Sequence, residues 1–201
     1  MIKLKKTISL ISKYRQPDYK INQIFYQRWS GRAISGQDIP LAKLMLLFEA
    51  ARWAPSANNN QPWRFVYADE KSRYWQPFFD LLNDGNKIWV KNASVLVIVV
   101  SKKIADYQNK SIASHSFDTG AVWQNLALQG SSLGLVVHAM AGFDYQQAKK
   151  MLKLDNNYQV EAMITIGQKG KVNQLHDYLQ KVEYPSGRKQ LSEIIFKGKI
   201  K

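Results

Sequence analysis

Near the start of the chain a guanidinium, a hydroxyl and a second guanidinium fall at alternate positions: Arg28, Ser30 and Arg32. In an extended segment every second side chain points the same way, so these three share one side, with Trp29 and Ala33 turned towards packing. Two arginine forks and a hydroxyl make a clamp for a dianion, because a guanidinium meets phosphate oxygens two at a time. An exposed basic turn is the competing reading of the same spacing. A second stretch, Ala54-Pro55-Ser56-Ala57-Asn58-Asn59-Asn60-Gln61-Pro62-Trp63, sets amide side chains and backbone N–H groups between two prolines. A rigid polar loop carried on scaffold elements suits the polar edge of a flat ligand. Asparagine also tolerates left-handed backbone, and on spacing alone a plain helix stop is the favoured reading of the loop.

The flanking patterns set both stretches on regular elements. Leu41, Leu44, Met45, Leu47, Phe48 and Ala51 form a broad apolar helical stripe that Pro55 stops. Asp38 is expected to cap this helix, with Pro40 in its first turn. Trp63 to Ala68 alternates as a strand. Lys71 to Leu82 reads as a helix kinked or begun late because of Pro77, and 83–86 as a turn. Ser94 to Ser101 contains the apolar run Val95 to Val100, which fits a strand buried on both faces. Phe117 to Leu133 is the longest helical pattern, closed by Gly134. Leu135 to Met140 and Val160 to Ile166 are strands. Between them, Asp144 and Gln147 have the spacing of a capping box for a short helix reaching Leu154. Mixed helix and strand in this order imply one sheet covered by helices.

Composition excludes several function classes. The chain has 201 residues and no cysteine, which rules out disulfides, thiol chemistry and cysteine metal sites. The apolar run at Val95 is far too short to span a bilayer. Met1 to Lys6 has the charge of a signal peptide's first region, but the apolar part that follows is too short and lacks a small-residue cleavage site, so a cytoplasmic protein is expected. Net charge is +14, from 29 basic and 15 acidic residues. Such a field attracts phosphates, nucleotides or nucleic acid. The basic residues are scattered and no recognition helix or aromatic-basic strand accompanies them, so no nucleic-acid partner is expected. His115, His138 and His176 lack the close spacing of metal ligands, and no metal is expected. His138 reads as a structural hydrogen-bonding residue in a strand, and His115 with Asp118 as a helix cap. The tryptophans, Trp29, Trp63 and Trp89 among them, read as packing residues.

Taken together in order and spacing, several motifs resemble the FMN-dependent nitroreductase family. They are Arg28-Trp29-Ser30-Gly31-Arg32, Glu49 to Ala57 with Asn59 and Gln61-Pro62-Trp63, and Gly85-Asn86 with Trp89. His115 to Gly120, Leu133-Gly134-Leu135, His138 to Asp144 and Gly187 to Leu191 complete the set. The resemblance runs from about Ile24 to Phe196 and is nearest to the compact branch without a long lid insertion. It implies an α+β sandwich with a mostly antiparallel central sheet, helices on both faces and a C-terminal segment exchanged in a homodimer. Residues 1–23 would be a basic arm and 24–201 a single FMN-binding domain.

The resemblance implies that Arg28, Ser30 and Arg32, with the Trp29 backbone, hold the FMN phosphate and ribityl chain, and that Arg188 adds a further cation. Pro55, Ser56, Ala57 and Asn59 would line the flavin ring from the other subunit, while Asn58 and Asn60 fill the turn. Asn86 would reach the pyrimidine or ribityl side, and Ala141 and Gly142 would bring backbone N–H groups to the ring edge. Two departures stand out: Gln190, where related chains often carry proline, and Ala141, where some branches carry glutamate. The latter leaves substrate polarity open. The implied activity is NAD(P)H-dependent reduction of small electron-poor acceptors such as nitroaromatics or quinones, by ping-pong hydride transfer through flavin N5. The flavin carries the chemistry, so no protein nucleophile or base is demanded. A flavin enzyme for enones, aldehydes or a modified peptide is an alternative, as is a basic nucleic-acid-binding module on a degenerate flavin fold.

Overall fold

The structure is a computed structural model and describes residues 11–107 and 109–200. The charged start Met1 to Lys6 and the rest of the first ten residues of the arm lie outside the described residues. Among the described residues the strands are β1 (Trp63–Asp69), β2 (Val95–Lys102), β3 (Leu135–Met140) and β4 (Tyr158–Gln168). They form one sheet in the order β1-β2-β4-β3, with every neighbouring pair antiparallel. All four sequence-predicted strands are present, with ends moved by two residues or fewer. A register shift between Val99 and Val100 marks a bulge where β2 meets β4.

Helices that bear on the fold are α1 (Gln23–Gln27), α2 (Leu41–Arg52), α3 (Trp75–Asp80), α4 (Asp84–Val90), α5 (His115–Ser132), α6 (Tyr145–Met151) and α7 (Asp177–Gln180), and residues 11–14 are also helical. The pleat of β2 divides the core between them. Val95, Val97 and Val99 pack with Leu44, Leu47 and Ala51 of α2 and with Val122 and Leu126 of α5. Leu96, Ile98 and Val100 face the other way, against Phe78 of α3, Trp89 and Val90 of α4, and Ala148 of α6. Helices therefore cover both faces, as expected of an α+β sandwich. No helix among the described residues is long and apolar enough to cross a membrane.

Three local expectations are corrected. Asp38 does not cap α2: Pro40 occupies the cap position without a side-chain bond, and Asp38 pairs with Lys71 instead. Helix α3 covers only Trp75–Asp80, with Pro77 in its first turn, where its missing N–H costs no helical bond. Helix α6 stops at Met151, short of Leu154, and Lys153 beyond it has φ of 51°. Its start behaves as expected, with Asp144 Oδ1 accepting from the Gln147 N–H at 2.8 Å.

A short ladder beyond the sheet positions the arginine segment. Ser35 N–H donates to the Gln168 carbonyl at 2.9 Å, and Gly170 N–H donates to the Ala33 carbonyl at 2.8 Å. This docks the 28–34 stretch beside the end of β4. A Cβ on Gly170 would lie 2.7 Å from the Ile34 backbone carbon, so only glycine allows the two backbones to approach this closely.

Candidate functional site

Arg28 leaves α1 in extended backbone, at φ −68° and ψ 127°. Its Nη1 donates to Ser30 Oγ at 3.2 Å, so these two side chains share a side, as the alternate spacing predicts. Arg188, on the loop after α7, lies close enough to repel the Arg28 charge. Burial first, and Arg188 second, lower the Arg28 guanidinium from its usual value. Arg32 is held differently. Its guanidinium is 3.9 Å from Glu183, and Glu183 Oε1 accepts the backbone N–H groups of Arg32 at 2.6 Å and of Ala33 at 2.9 Å.

Two residues that build this cluster escaped the sequence reading. Glu183 fixes the segment from 151 positions away in the chain. Arg15 is buried and donates through Nε to the Ser186 carbonyl at 2.8 Å, and through Nη1 to the carbonyls of Tyr26 at 3.0 Å and Arg28 at 2.6 Å. The only signal in the sequence was a charged residue among the apolar ones of the basic arm, Ile11 and Tyr14.

His138 joins the clamp to the next group. Its Nδ1–H donates to the Gly31 carbonyl at 3.0 Å, and its ring centroid lies 4.7 Å from that of Trp89 on α4. The same helix carries Asn86, whose Nδ2 donates to the Gly142 carbonyl at 2.9 Å. Asn83 N–H donates to that carbonyl too, at 3.0 Å. A Cβ on Gly142 would lie 2.4 Å from Asn83 Nδ2 and 2.8 Å from Asn86 Nδ2, so this glycine allows the carboxamides to close over the turn. Asn86 and Gly142 therefore meet, with Ala141 beside them.

His138 also predicts a pH dependence. Burial holds its imidazole down at about 4, against the opposing pull of the Gly31 hydrogen bond, and the Arg32 and Arg28 charges lower it further. An unfolded histidine titrates near 6.5. Between these values the unfolded chain takes up a proton that the folded chain refuses, so stability falls as pH drops from about 6.5 to about 4. The share of this residue at pH 4.5 is roughly 2–3 kcal/mol. Urea unfolding of wild type and His138→Gln at pH 7 and pH 4.5 should show the variant losing less stability; equal losses would contradict this account.

The Pro55–Asn59 loop stands apart from these contacts. Asn58, Asn59 and Gln61 all have positive φ, at 51°, 54° and 46°. Ser56 Oγ accepts the Gln61 N–H at 3.0 Å, and Asn60 Nδ2 donates to the Ala57 carbonyl at 2.7 Å. Asp118 is not a helix cap here: its Oδ2 accepts the Ala57 N–H at 3.2 Å and the Ser114 hydroxyl at 2.9 Å. His115 instead donates from Nδ1 to Ser101 Oγ at 2.8 Å, and the Ser101 hydroxyl donates to Glu161 Oε1 at 2.5 Å. Pro55, Ala57 and Asn59 are exposed and Ser56 is half-buried. Among the described residues, no hydrogen bond joins this loop to Arg28, Ser30, Asn86, Gly142 or Arg188. Trp63 and Trp89 are buried in the core as expected, and Trp29 is half-buried beside Gly31.

The donors fit a flavin mononucleotide at one end in particular. Beyond burial, Arg188 and Arg28 lower Arg15, and Arg188 lowers Arg28, while among the described residues no carboxylate pairs with any of the three. A dianionic phosphate would relieve that repulsion. Neither a surface hollow of about 670 Å³ over 17–26 nor a groove of about 300 Å³ between Asp38 and Val95 is lined by these residues.

An antiparallel sheet with helices on both faces defines an α+β protein, and it carries the arginine cluster of Arg15, Arg28 and Arg188. The family model described as nitroreductase family matches residues 25–88 and 72–168. The chain belongs to the nitroreductase family. It is similar to a crystallised oxidoreductase containing FMN, with 41% identity, a TM-score of 0.88, and coverage of 93% of this chain and 96% of that one. A Streptococcus pyogenes protein provisionally named an NAD(P)H nitroreductase is 24% identical over 88% of this chain and 98% of its own length. An iodotyrosine deiodinase of Thermotoga neapolitana is 25% identical over 70% of this chain and 84% of its own length.

Proposed function

We propose that the chain is an FMN-dependent NAD(P)H oxidoreductase that reduces small electron-poor acceptors such as nitroaromatics or quinones. The observation that carries this reading is the cluster of Arg28 and Arg188, with no opposing carboxylate among the described residues, on a family fold and linked through His138 and Trp89 to the helix that carries Asn86. When bound, FMN supplies the hydride acceptance and transfer that no side chain here can perform. The residues bind and orient. Arg28, Ser30 and Arg188 take the phosphate, with Arg32 contributing from its pairing with Glu183. The Trp29 backbone and Asn86 serve the ribityl side. Ala141 and Gly142 serve the ring edge, where backbone N–H donors favour developing negative charge.

The reading includes a homodimer in which Pro55, Ser56, Ala57 and Asn59 of one copy complete the site of the other. Two features support it: among the described residues no hydrogen bond joins this loop to Arg28, Ser30 or Arg188 in one chain, and the tail residues Ile194, Ile195 and Phe196 are apolar and exposed. Trp53 and Phe117, 72% and 83% exposed, extend the apolar surface available to a partner. The catalytic domain is 24–201, preceded by the basic arm, in a cytoplasmic setting where NADH and NADPH are supplied. Anaerobic addition of NADH or NADPH to the flavin-loaded protein should bleach the flavin absorbance, and a nitroaromatic or quinone should restore it. Restoration by enones or aldehydes alone would move the assignment to that substrate class. Absence of bleaching by either nicotinamide would remove the NAD(P)H assignment.

A further inference from the structure

The family match begins at residue 25, yet Ile11 and Arg15 of the preceding segment are as buried as core residues, at 3% and 8% exposure. Arg15 spends its donors on the carbonyls of Tyr26, Arg28 and Ser186, two of which immediately precede or belong to the clamp loops. Alongside it, Tyr14 stacks on Tyr184 with ring centroids 4.9 Å apart and planes 16° from parallel. Residues 11–15 thus fasten the 26–28 segment to the 184–188 loop. A buried guanidinium is costly, and this one sits among like charges rather than opposite ones. Burial first, then Arg188 and Arg28, push Arg15 down to about 10.

We infer that Arg15 is a positioning residue for the phosphate end of the bound cofactor: the N-terminal segment is a clasp that sets Arg28 and Arg188 as a pair, and closure of the clasp and binding of a dianion favour each other. This rests on the FMN reading above. The carbonyl bonds fix the backbone that presents each arginine, while the third positive charge raises the potential that a dianion would meet. Without a dianion the three cations repel; with one, each contact strengthens. By linkage, the anion must then tighten the clasp as much as the clasp tightens the anion.

The test compares FMN with riboflavin, which has the same ring but no phosphate. Flavin-stripped full-length protein and its Arg15→Gln variant are titrated with each, following quenching of flavin fluorescence. FMN affinity of the variant should fall by about tenfold or more, with riboflavin affinity unchanged within about twofold. Equal weakening of both would reveal general structural damage and overturn the inference, as would no change in either. Should the variant not fold, hydrogen exchange on wild type decides: residues 11–15 should exchange more slowly with FMN than with riboflavin, and equal exchange overturns the inference. A wild type that binds neither flavin would remove the FMN reading itself. A wild type that binds FMN, with a variant that binds it equally, removes only the clasp.

Discussion

Replacing Arg28 and Arg188 together by alanine is expected to weaken FMN binding by roughly a hundredfold to ten-thousandfold. Each charge-assisted contact to a phosphate contributes about 1.5–3 kcal/mol, so the loss is about 3–6 kcal/mol for the pair. The two residues repel each other, since Arg188 lowers the charge affinity of Arg28. The flavin-free double variant should therefore be no less stable than flavin-free wild type, while its flavin-loaded form loses most of the stabilisation that ligand binding confers. Thermal unfolding with and without FMN reads both signs at once. A double variant that keeps its flavin through dialysis would show that the phosphate lies elsewhere. A flavin-free variant that unfolds far earlier than wild type would show these arginines to be structural.

Glu183→Ala should be the most damaging single change near the site. Glu183 is 8% exposed, and one of its oxygens accepts the N–H groups of both Arg32 and Ala33. Its removal strands two donors, of which Ala33 N–H is buried. Each unsatisfied donor costs about 1–3 kcal/mol, giving roughly 2–6 kcal/mol in all. The loss should appear as a lower urea midpoint and as weaker FMN binding, because these bonds hold the arginine segment beside the sheet. Glu183→Gln keeps the acceptor oxygen and should recover most of the stability. Its other oxygen, buried without a hydrogen bond and only 3.9 Å from Arg32, is the part that the amide cannot replace by charge. Equal damage from both variants would mean that the Arg32 ion pair, rather than the backbone bonds, fixes the segment.

The sheet was legible because its strands announce themselves. Val95 to Val100 is apolar without interruption and is buried on both faces, while Trp63 to Ala68 pairs along its length with β2 at the sheet edge. The pairing of Arg28 with Ser30 followed from alternation alone, whereas the hydrogen bond from Asn86 to Gly142 had no signal in any local pattern. The contacts that fix these residues were not legible, since Arg15 meets Ser186 across 171 positions and Glu183 meets Ala33 across 150. No periodicity encodes such contacts. Local capping logic misled at Asp38 and Asp118 for the same reason. Each has the residue type of a cap, but a more distant partner claims it: Lys71 in one case, the Ala57 N–H in the other. The Ala54–Trp63 loop leaves both of its readings open. Asn58 and Asn59 do take left-handed backbone at a helix stop, and the same turn leaves Pro55, Ala57 and Asn59 open to a ligand or a second copy.

The central claim is that this chain holds FMN, and flavin uptake tests it most directly. The purified protein, stripped and then titrated with FMN, should bind about one flavin per chain, with a shifted flavin absorption spectrum and a raised unfolding temperature. A protein that stays colourless, quenches no flavin fluorescence and unfolds at the same temperature in excess FMN would contradict the account.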